Sequence, residues 1–406
     1  MPNGRTRVEG PAAVAAPALA AHRALALLAA ALVLAMTTWF SASAVIPQLR
    51  VEWHLSSTGR AWLTIAVQLG FVAGALLSSV LNLADVVDPR LVIAGGATGA
   101  AVANAFLLAA HGPGLALPLR AATGFFLAGV YPPALKLMAT WFVRGRGVAL
   151  GILVGALTLG SATPHLVNGL GGLDWHVVIV VTSLLTLAGG VVVLVWAEHG
   201  PYPFPRAPFD PHQVRRVFAN RGVRLSSLGY FGHMWELYAM WSWFLVFASD
   251  RLFASHTAAA FATFAVIGIG ALGCWAGGVL GDRWGRPETT AAAMVVSGVC
   301  ALTIGAVANV AAALAVVLAL VWGVTVVADS AQFSTLVTEH ADQSYVGTAL
   351  TLQLAVGFTL TVATIWLLPV FVGWVGWTWA FAFLAPGPAL GVVAMLRLRR
   401  PVESRA

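Results

Sequence analysis

The chain has 406 residues, of which 59% are hydrophobic and only 9% are charged. Because soluble domains carry about 25% charged residues, this composition excludes a water-soluble globular protein and makes lipid the main solvent. The net charge of +7 does not indicate a nucleic-acid partner, since the basic residues lie in the connections between apolar segments and do not gather on one face.

Twelve segments are apolar over roughly the 20 residues that a helix needs to cross a bilayer. We number them helices 1 to 12, and they lie at 24–49, 60–83, 90–110, 115–142, 147–170, 176–196, 224–248, 258–280, 288–307, 310–337, 347–370 and 378–396. The first is longer than the apolar core of a signal peptide, about 7–15 residues, so we expect it to be retained. The sequence predicts an all-α membrane protein with twelve transmembrane helices.

One long connection, rich in proline and arginine, divides these helices into two groups of six. The predicted units are a tail at 1–23, a six-helix bundle at 24–196, a linker at 197–223, a second six-helix bundle at 224–396 and a tail at 397–406. Most arginines lie in the tails, the linker and alternate loops, whereas the remaining loops hold only Arg50, Arg60 and Arg251. By the positive-inside rule, the tails and the linker are expected to be cytoplasmic, in a multi-pass protein of the bacterial inner membrane.

A charged turn separates helices 8 and 9, where one acid and two arginines are spaced by glycines that permit a tight turn. Its defining residues are Gly278, Asp282, Arg283, Gly285 and Arg286. A degenerate copy follows helix 2, where Asp85 matches Asp282 but the glycine and the first arginine are replaced. Helix 4 contributes a second pattern, a leucine, an arginine and a glycine at positions 117, 120 and 124.

These motifs resemble those of the major facilitator superfamily, and the resemblance covers essentially the whole chain. It implies two pseudo-symmetric six-helix bundles, alternating access, and a central cavity lined by helices 1, 4, 7 and 10. It also implies that the charged turn is a hinge and latch, and that Arg120 takes part in proton coupling. Arg120 could instead extend to the outer membrane surface.

Ionisable residues within membrane helices are costly to bury, so each is a candidate for function. Glu236 lies at the middle of helix 7, with His233 one turn away on the same face. This pair is the predicted site of proton coupling. The alternative is a structural hydrogen bond from Glu236 to a neighbouring helix. His165 of helix 5 is interpreted as structural.

Lys136 of helix 4 and Asp329 of helix 10 fall at about the same depth when the two halves are aligned at Gly129 and Gly323. We predict that they pair across the bundles as a gate. In the alternative interpretation Lys136 extends to the inner surface, and Asp329 bonds locally.

Polar and aromatic residues of the predicted cavity walls are candidates for substrate contact. They are Thr38, Trp39, Gln68, Tyr131, Tyr238, Trp241, Trp322, Gln332 and Gln353. The aromatic members could equally be packing residues.

The sequence has no nucleotide-binding loop, metal cluster or nucleophile arrangement, so we expect no enzyme activity, cofactor or bound metal. The predicted function is a secondary transporter, acting as a monomer in the lipid bilayer with a small-molecule substrate and a proton as partners. The basic residues of helix 4 favour a small organic or inorganic anion. Parts of the chain are similar to nitrate/nitrite and cyanate porters, although helices 2 and 8 lack the internal arginines of nitrate porters. Two alternatives stay open: a proton-driven exporter of hydrophobic or cationic compounds, and a transporter-like membrane sensor.

Overall fold

The computed structural model describes residues 18–142, 145–172, 174–202, 209–342 and 344–399, apart from the side chains of residues 84 and 85. Within these ranges the chain is helical and contains no strand, which confirms the predicted all-α fold. The side chain of Asp85 and most of both predicted tails lie outside the described residues.

The first bundle contains helices 1 to 6. In chain order they are Ala18–Ala35 with Ile46–Glu52, Ser57–Val80, Pro89–Ala109, Pro113–Leu127 with Tyr131–Ala139, Arg146–Leu170, and Trp175–Trp196. Helices 1 and 4 are each interrupted within the membrane. Helix 1 begins at Ala18 rather than at the predicted residue 24, because the alanines and leucines from residue 18 onward favour a helix.

The second bundle contains helices 7 to 12. They are Arg221–Arg251, His256–Gly268 with Gly270–Trp284, Arg286–Val310, Ala312–Ala328 with Ser330–His340, and the two helices within Val346–Arg399. Helix 7 begins three residues earlier than predicted, because the Asn220 side chain accepts a hydrogen bond from the backbone N–H of Val223 and caps the helix there.

Ten of the described helical segments are long and apolar enough to cross a membrane. Helix 7 is not among them because His233, Glu236 and its many tryptophan, tyrosine, serine and glycine residues lower its mean hydropathy. The segment Val346–Arg399, with 54 residues, is one of the ten. The positive φ of 63° at Gly376 interrupts it and separates helix 11 from helix 12. Including helix 7 and this division gives the predicted twelve.

The helix pairs of the first bundle recur in the second. Helix 2 packs on helix 4 as helix 8 packs on helix 10, and helices 1 and 3 pack on helix 6 as helices 7 and 9 pack on helix 12. The two bundles meet where helix 5 packs on helix 8 and helix 2 packs on helix 11, which are again equivalent pairs. These repeated pairs are the arrangement that parallel repeats about an axis along the membrane normal produce.

Glycines set the register of the two equivalent pairs. A Cβ added to Gly74 would lie 2.3 Å from the carbonyl oxygen of Phe125, and one added to Gly277 would lie 1.9 Å from that of Ala328. Gly129 of helix 4 faces helix 3, where a Cβ would lie 3.4 Å from the carbonyl oxygen of Val92, whereas Gly323 of helix 10 faces helix 8, where a Cβ would lie 1.8 Å from that of Val266. The alignment at Gly129 and Gly323 was wrong, because helix packing rather than local sequence likeness sets the register. Lys136 and Asp329 are not equivalent in depth.

Candidate functional site

An aromatic cluster fills the middle of the molecule between the two bundles. Trp39 lies in the interruption of helix 1, and its ring centroid is 4.8 Å from Phe71 of helix 2, 5.9 Å from Tyr238 of helix 7 and 5.8 Å from Phe358 of helix 11. Trp241 extends the cluster toward the far end of helix 7 through Phe40 and Tyr238. We call these six residues the aromatic cluster, and all of them are buried.

Arg120 supports the interruption of helix 1 that carries Trp39. Its Nη1 donates to the carbonyl oxygen of Thr38 at 3.0 Å, to Ser41 Oγ at 3.1 Å and to Asn104 Oδ1 at 3.2 Å, and its Nη2 donates to the carbonyl oxygen of Trp39. A broken helix leaves carbonyl groups without their intrahelical donors, and the guanidinium supplies them. Arg120 is fully buried and forms no ion pair among the described residues.

Several buried polar atoms around the aromatic cluster have no hydrogen-bond partner among the described residues. They are Nε1 of Trp39, Nε1 of Trp241, both amide atoms of Gln68 and Nε2 of Gln353. These residues come from helices 1, 7, 2 and 11, and therefore from both bundles. A buried polar group without a partner costs free energy, so each of these atoms calls for a partner such as a water molecule or a ligand.

Glu236 is held by two other helices of the second bundle. Its Oε1 accepts a hydrogen bond from Nε1 of Trp322 at 2.8 Å, and its Oε2 accepts one from Oγ of Ser297 at 2.9 Å. The side chain is buried and forms no ion pair among the described residues. The structural hydrogen bonding of the alternative interpretation is therefore present, and Glu236 could gain or lose a proton without breaking a salt bridge.

His233 lies one turn before Glu236 and contacts a second buried acid. Its Nδ1 is 2.8 Å from Oδ1 of Asp329, within ion-pair distance although off the hydrogen-bond direction, and its Nε2 has no partner among the described residues. Helices 7 and 10 are thus joined by a carboxyl–imidazole contact next to a separate carboxyl group. Proton coupling by Glu236, His233 and Arg120 stays a prediction.

Two predicted cavity residues, Trp322 and Thr38, use their polar groups outside the aromatic cluster. Trp322 is used by Glu236 and packs on Phe381. The hydroxyl group of Thr38 contacts Thr186 within the first bundle, and Tyr131 is half-buried where helix 4 resumes. Lys136 is half-buried, and its pairing with Asp329 as a gate stays a prediction, with Asp329 contacting His233 in this structure.

The charged turn forms a network of ion pairs and hydrogen bonds at one end of the second bundle. We call this end of the molecule the motif end. Arg286 contacts Asp282 Oδ1 at 3.1 Å and donates to Glu339 Oε1 at 2.8 Å and to Gln332 Oε1 at 2.7 Å. Gln332, predicted to line the cavity, also donates to the carbonyl oxygen of Gly277, so both ends of its amide are used here. Gly285 has a positive φ of 104°, as the turn requires, and Arg283 is exposed.

Two groups of functional candidates were not predicted. Phe40, Phe71 and Phe358 look like ordinary apolar residues in a membrane helix, although Phe71 follows Gln68 by one helical turn. The sequence gives no sign of Ser297, because its role depends on helix 9 being rotated so that Ser297 faces Glu236 of helix 7.

His165 was interpreted as structural, yet it is buried and neither of its ring nitrogens has a partner among the described residues.

Comparison with known proteins gives one family match. A family model described as the Major Facilitator Superfamily matches residues 28–364. The puromycin resistance protein pur8 of Streptomyces alboniger is 33% identical over 151 residues, which are 36% of this chain and 30% of that protein. The match thus spans less than a third of the curated relative.

Two solved structures are similar over nearly the whole chain. A bacterial homolog of the human lysosomal transporter Spinster, in an inward-facing and unoccupied conformation, is 15% identical with a TM-score of 0.65, covering 93% of this chain and 95% of that one. The human organic anion transporter MFSD10 (TETRAN) is 14% identical with a TM-score of 0.71, covering 92% and 99%. At these identities the likeness shows the shared fold alone.

Proposed function

Because the chain belongs to the Major Facilitator Superfamily and is therefore a transporter rather than an enzyme, we propose that it exports hydrophobic or cationic aromatic compounds in exchange for protons. The observation that carries this proposal is the aromatic cluster, which joins helices of both bundles and is surrounded by unpartnered polar atoms. An aromatic ligand between the bundles would stack on these rings and bind the unpartnered groups.

The charge of the site favours a neutral or cationic compound over an anion. Arg120, one of the two basic residues of helix 4 that favoured an anion, directs its donors to the carbonyl oxygens of Thr38 and Trp39 and to Ser41 and Asn104. The buried ionisable groups beside helix 7 include two carboxyl groups, Glu236 and Asp329. Aromatic faces also attract cations, by about 0.5–2 kcal/mol. The partial match to a puromycin resistance protein supports the same substrate class.

The proton side of the exchange is assigned to Glu236. A carboxylate removed from water without an ion pair loses several kcal/mol of hydration, so a change of its charge changes the free energy of the surrounding helices. Trp322 and Ser297 join it to helices 10 and 9. Protonation of Glu236 would therefore change the free-energy balance between the conformations of the helices it joins, including helix 7, which carries two residues of the aromatic cluster.

Alternating access needs two bundles that separate at one end at a time. At the motif end, a Cβ added to Gly147 of helix 5 would lie 2.8 Å from Oδ1 of Asp282, so the charged turn touches the other bundle directly. At the opposite end, the guanidinium of Arg60 of helix 2 lies 5.9 Å from the ring of Trp243 of helix 7. We assign these two contacts to the closures of the two ends. Cytoplasmic tails are part of the same proposal and are supported by the arginine distribution. The inner membrane and the monomeric state are proposed with them.

The test is transport by the purified protein in proteoliposomes with an imposed pH gradient. The probes are puromycin and tetraphenylphosphonium, both aromatic cations at neutral pH, and benzoate as a small organic anion. We expect the gradient to drive movement of the two cations and not of benzoate. Movement of benzoate without the cations would overturn the proposal in favour of an anion transporter. Binding of a probe without movement of any of them would favour a sensor.

A further inference from the structure

A small cavity lies between the bundles at the end opposite the charged turn. Its volume is about 240 Å³, and it is lined by residues of helices 1, 5, 7 and 8, namely Pro47, Gln48, Val51, Asn168, Leu245, Ser249 and His256. The Oγ of Ser249 is buried there without a hydrogen-bond partner among the described residues. Both bundles contribute to its wall, and Leu245 of that wall lies one helical turn beyond Trp241 of the aromatic cluster.

Two further residues of helix 5, Ser161 and His165, point toward the same region, as the contacts of their neighbours on that helix indicate. Gly160 and Asn168 face helix 1, where Gly160 approaches the carbonyl oxygen of Val33 and Asn168 donates to that of Ala44 at 2.8 Å. Thr158 faces helix 8, where its Oγ1 lies 3.8 Å from Sγ of Cys274.

At about 100° per residue, Ser161 and His165 fall between these two faces of helix 5. They therefore point into the gap between helices 1 and 8. Asn168 follows His165 by one turn, which places the histidine just below the cavity wall.

Ser161 and His165 are both 1% exposed, and neither the hydroxyl oxygen of Ser161 nor either ring nitrogen of His165 has a partner among the described residues. Trp241 lies across the interface, one turn below Leu245 of the cavity wall, with its own Nε1 unpartnered. Four polar atoms, from His165, Ser161 and Trp241, are thus buried without partners among the described residues, within two helical turns of the cavity wall. Phenylalanine in place of His165, alanine in place of Ser161 and phenylalanine in place of Trp241 would avoid that cost.

We propose that His165, Ser161 and Trp241 form a polar subsite that binds an uncharged hydrogen-bonding group of the transported compound, such as an amide or a hydroxyl. A neutral imidazole offers one donor and one acceptor, a serine offers both, and an indole offers one donor. This set matches a group that itself both donates and accepts. His165 forms no ion pair among the described residues, so the subsite selects hydrogen bonding rather than charge. The inference rests on the proposed function and adds a second element of specificity to the aromatic cluster.

Two probes separate this subsite from the aromatic cluster. Puromycin carries an amide and hydroxyl groups, whereas tetraphenylphosphonium is an aromatic cation without any hydrogen-bonding group. The dissociation constant of each is measured on the full-length protein in detergent, for the wild type, His165→Phe and Ser161→Ala. The matched control is Thr163→Ala, because Thr163 is on the same helix and already donates to the carbonyl oxygen of Leu159.

We expect His165→Phe to weaken puromycin binding by about tenfold, and Ser161→Ala by a few-fold, since each leaves a group of the ligand unpaired. Tetraphenylphosphonium binding and the Thr163→Ala control should be unchanged. Equal changes for both probes, or no change for puromycin in either variant, would overturn the subsite. A failure of the proposed function is visible separately, as absence of pH-driven transport by the wild type. If His165→Phe does not fold, Ser161→Ala alone decides.

Discussion

The hydroxyl oxygen of Ser297 lies 2.9 Å from Oε2 of Glu236 and 3.3 Å from the carbonyl oxygen of Met294. When Glu236 is ionised, Ser297 donates to it. When Glu236 is protonated, its hydroxyl can donate to Ser297, which then turns its own hydrogen to Met294. Trp322 donates to the other oxygen in both states. Both forms of Glu236 therefore keep their hydrogen bonds with no movement of heavier atoms.

Replacing Ser297 by alanine removes one donor from the ionised carboxyl group and should change the pH dependence of transport. A hydrogen bond to a charged group contributes about 1.5–3 kcal/mol, and 1.36 kcal/mol corresponds to about one pH unit. We expect the pH profile of puromycin transport to move by about one unit toward alkaline pH. Thr303→Ala on the same helix, where the hydroxyl donates to the carbonyl oxygen of Val299, is the control. An unmoved profile in Ser297→Ala contradicts the role of Ser297.

Arg120→Lys tests whether Arg120 supports the interruption of helix 1 or couples protons. Lysine keeps the charge but lacks the planar fork that reaches several carbonyl oxygens at once. We expect the unfolding temperature to fall by about 5 °C or more, together with loss of transport. The control is Arg251→Lys, at an exposed site. An unchanged unfolding temperature with loss of pH-driven movement alone would assign Arg120 to coupling instead.

The helices could be predicted to within a few residues, because crossing a bilayer requires a long apolar run that the sequence displays directly. The interruption of helix 1 could not, since it depends on a guanidinium from helix 4 that local sequence does not reveal. Glu236 and His233 were identifiable because charged groups are rare in membrane helices. Their partners Ser297 and Asp329 depend on how helices 9 and 10 are rotated toward helix 7. The register of helix 10 was predicted wrongly for the same reason.

The contact between helices 8 and 10 depends on Gly277 having no side chain. A Cβ there would lie 1.9 Å from the carbonyl oxygen of Ala328, so Gly277→Ala must push the helices apart and should cost about 1–3 kcal/mol. Gly95→Ala is the matched control, because a Cβ there meets nothing within 4 Å and alanine favours a helix by about 0.5–1 kcal/mol. Thermal unfolding should show a lower unfolding temperature for Gly277→Ala and an unchanged or higher one for Gly95→Ala. The opposite order would contradict the packing described.

Asp88 stabilises the connection between helices 2 and 3 in a pH-dependent way. The hydrogen bond from the Arg90 side chain is the main reason that the pKa of Asp88 is lowered to about 2. Because the folded pKa is below the ordinary value of about 3.9, this stabilisation is present above pH 4 and is lost as the pH falls toward 2.

Asp88→Asn should therefore lower the unfolding temperature at pH 7, and its difference from the wild type should shrink between about pH 4 and pH 2. Glu198→Gln, at an exposed side chain nearby, should show no such trend. A difference that stays constant over this range would contradict the ion pair.

Proton movement induced by the substrate, compared between the wild type and Glu236→Gln, tests the central claim most directly. Proteoliposomes enclosing a pH-sensitive dye receive puromycin, and the internal pH is followed for the wild type, for Glu236→Gln and for the control Glu198→Gln. We predict that puromycin drives proton movement in the wild type and in Glu198→Gln, and that Glu236→Gln binds puromycin but moves no protons. Proton movement at the wild-type rate in Glu236→Gln would contradict the account.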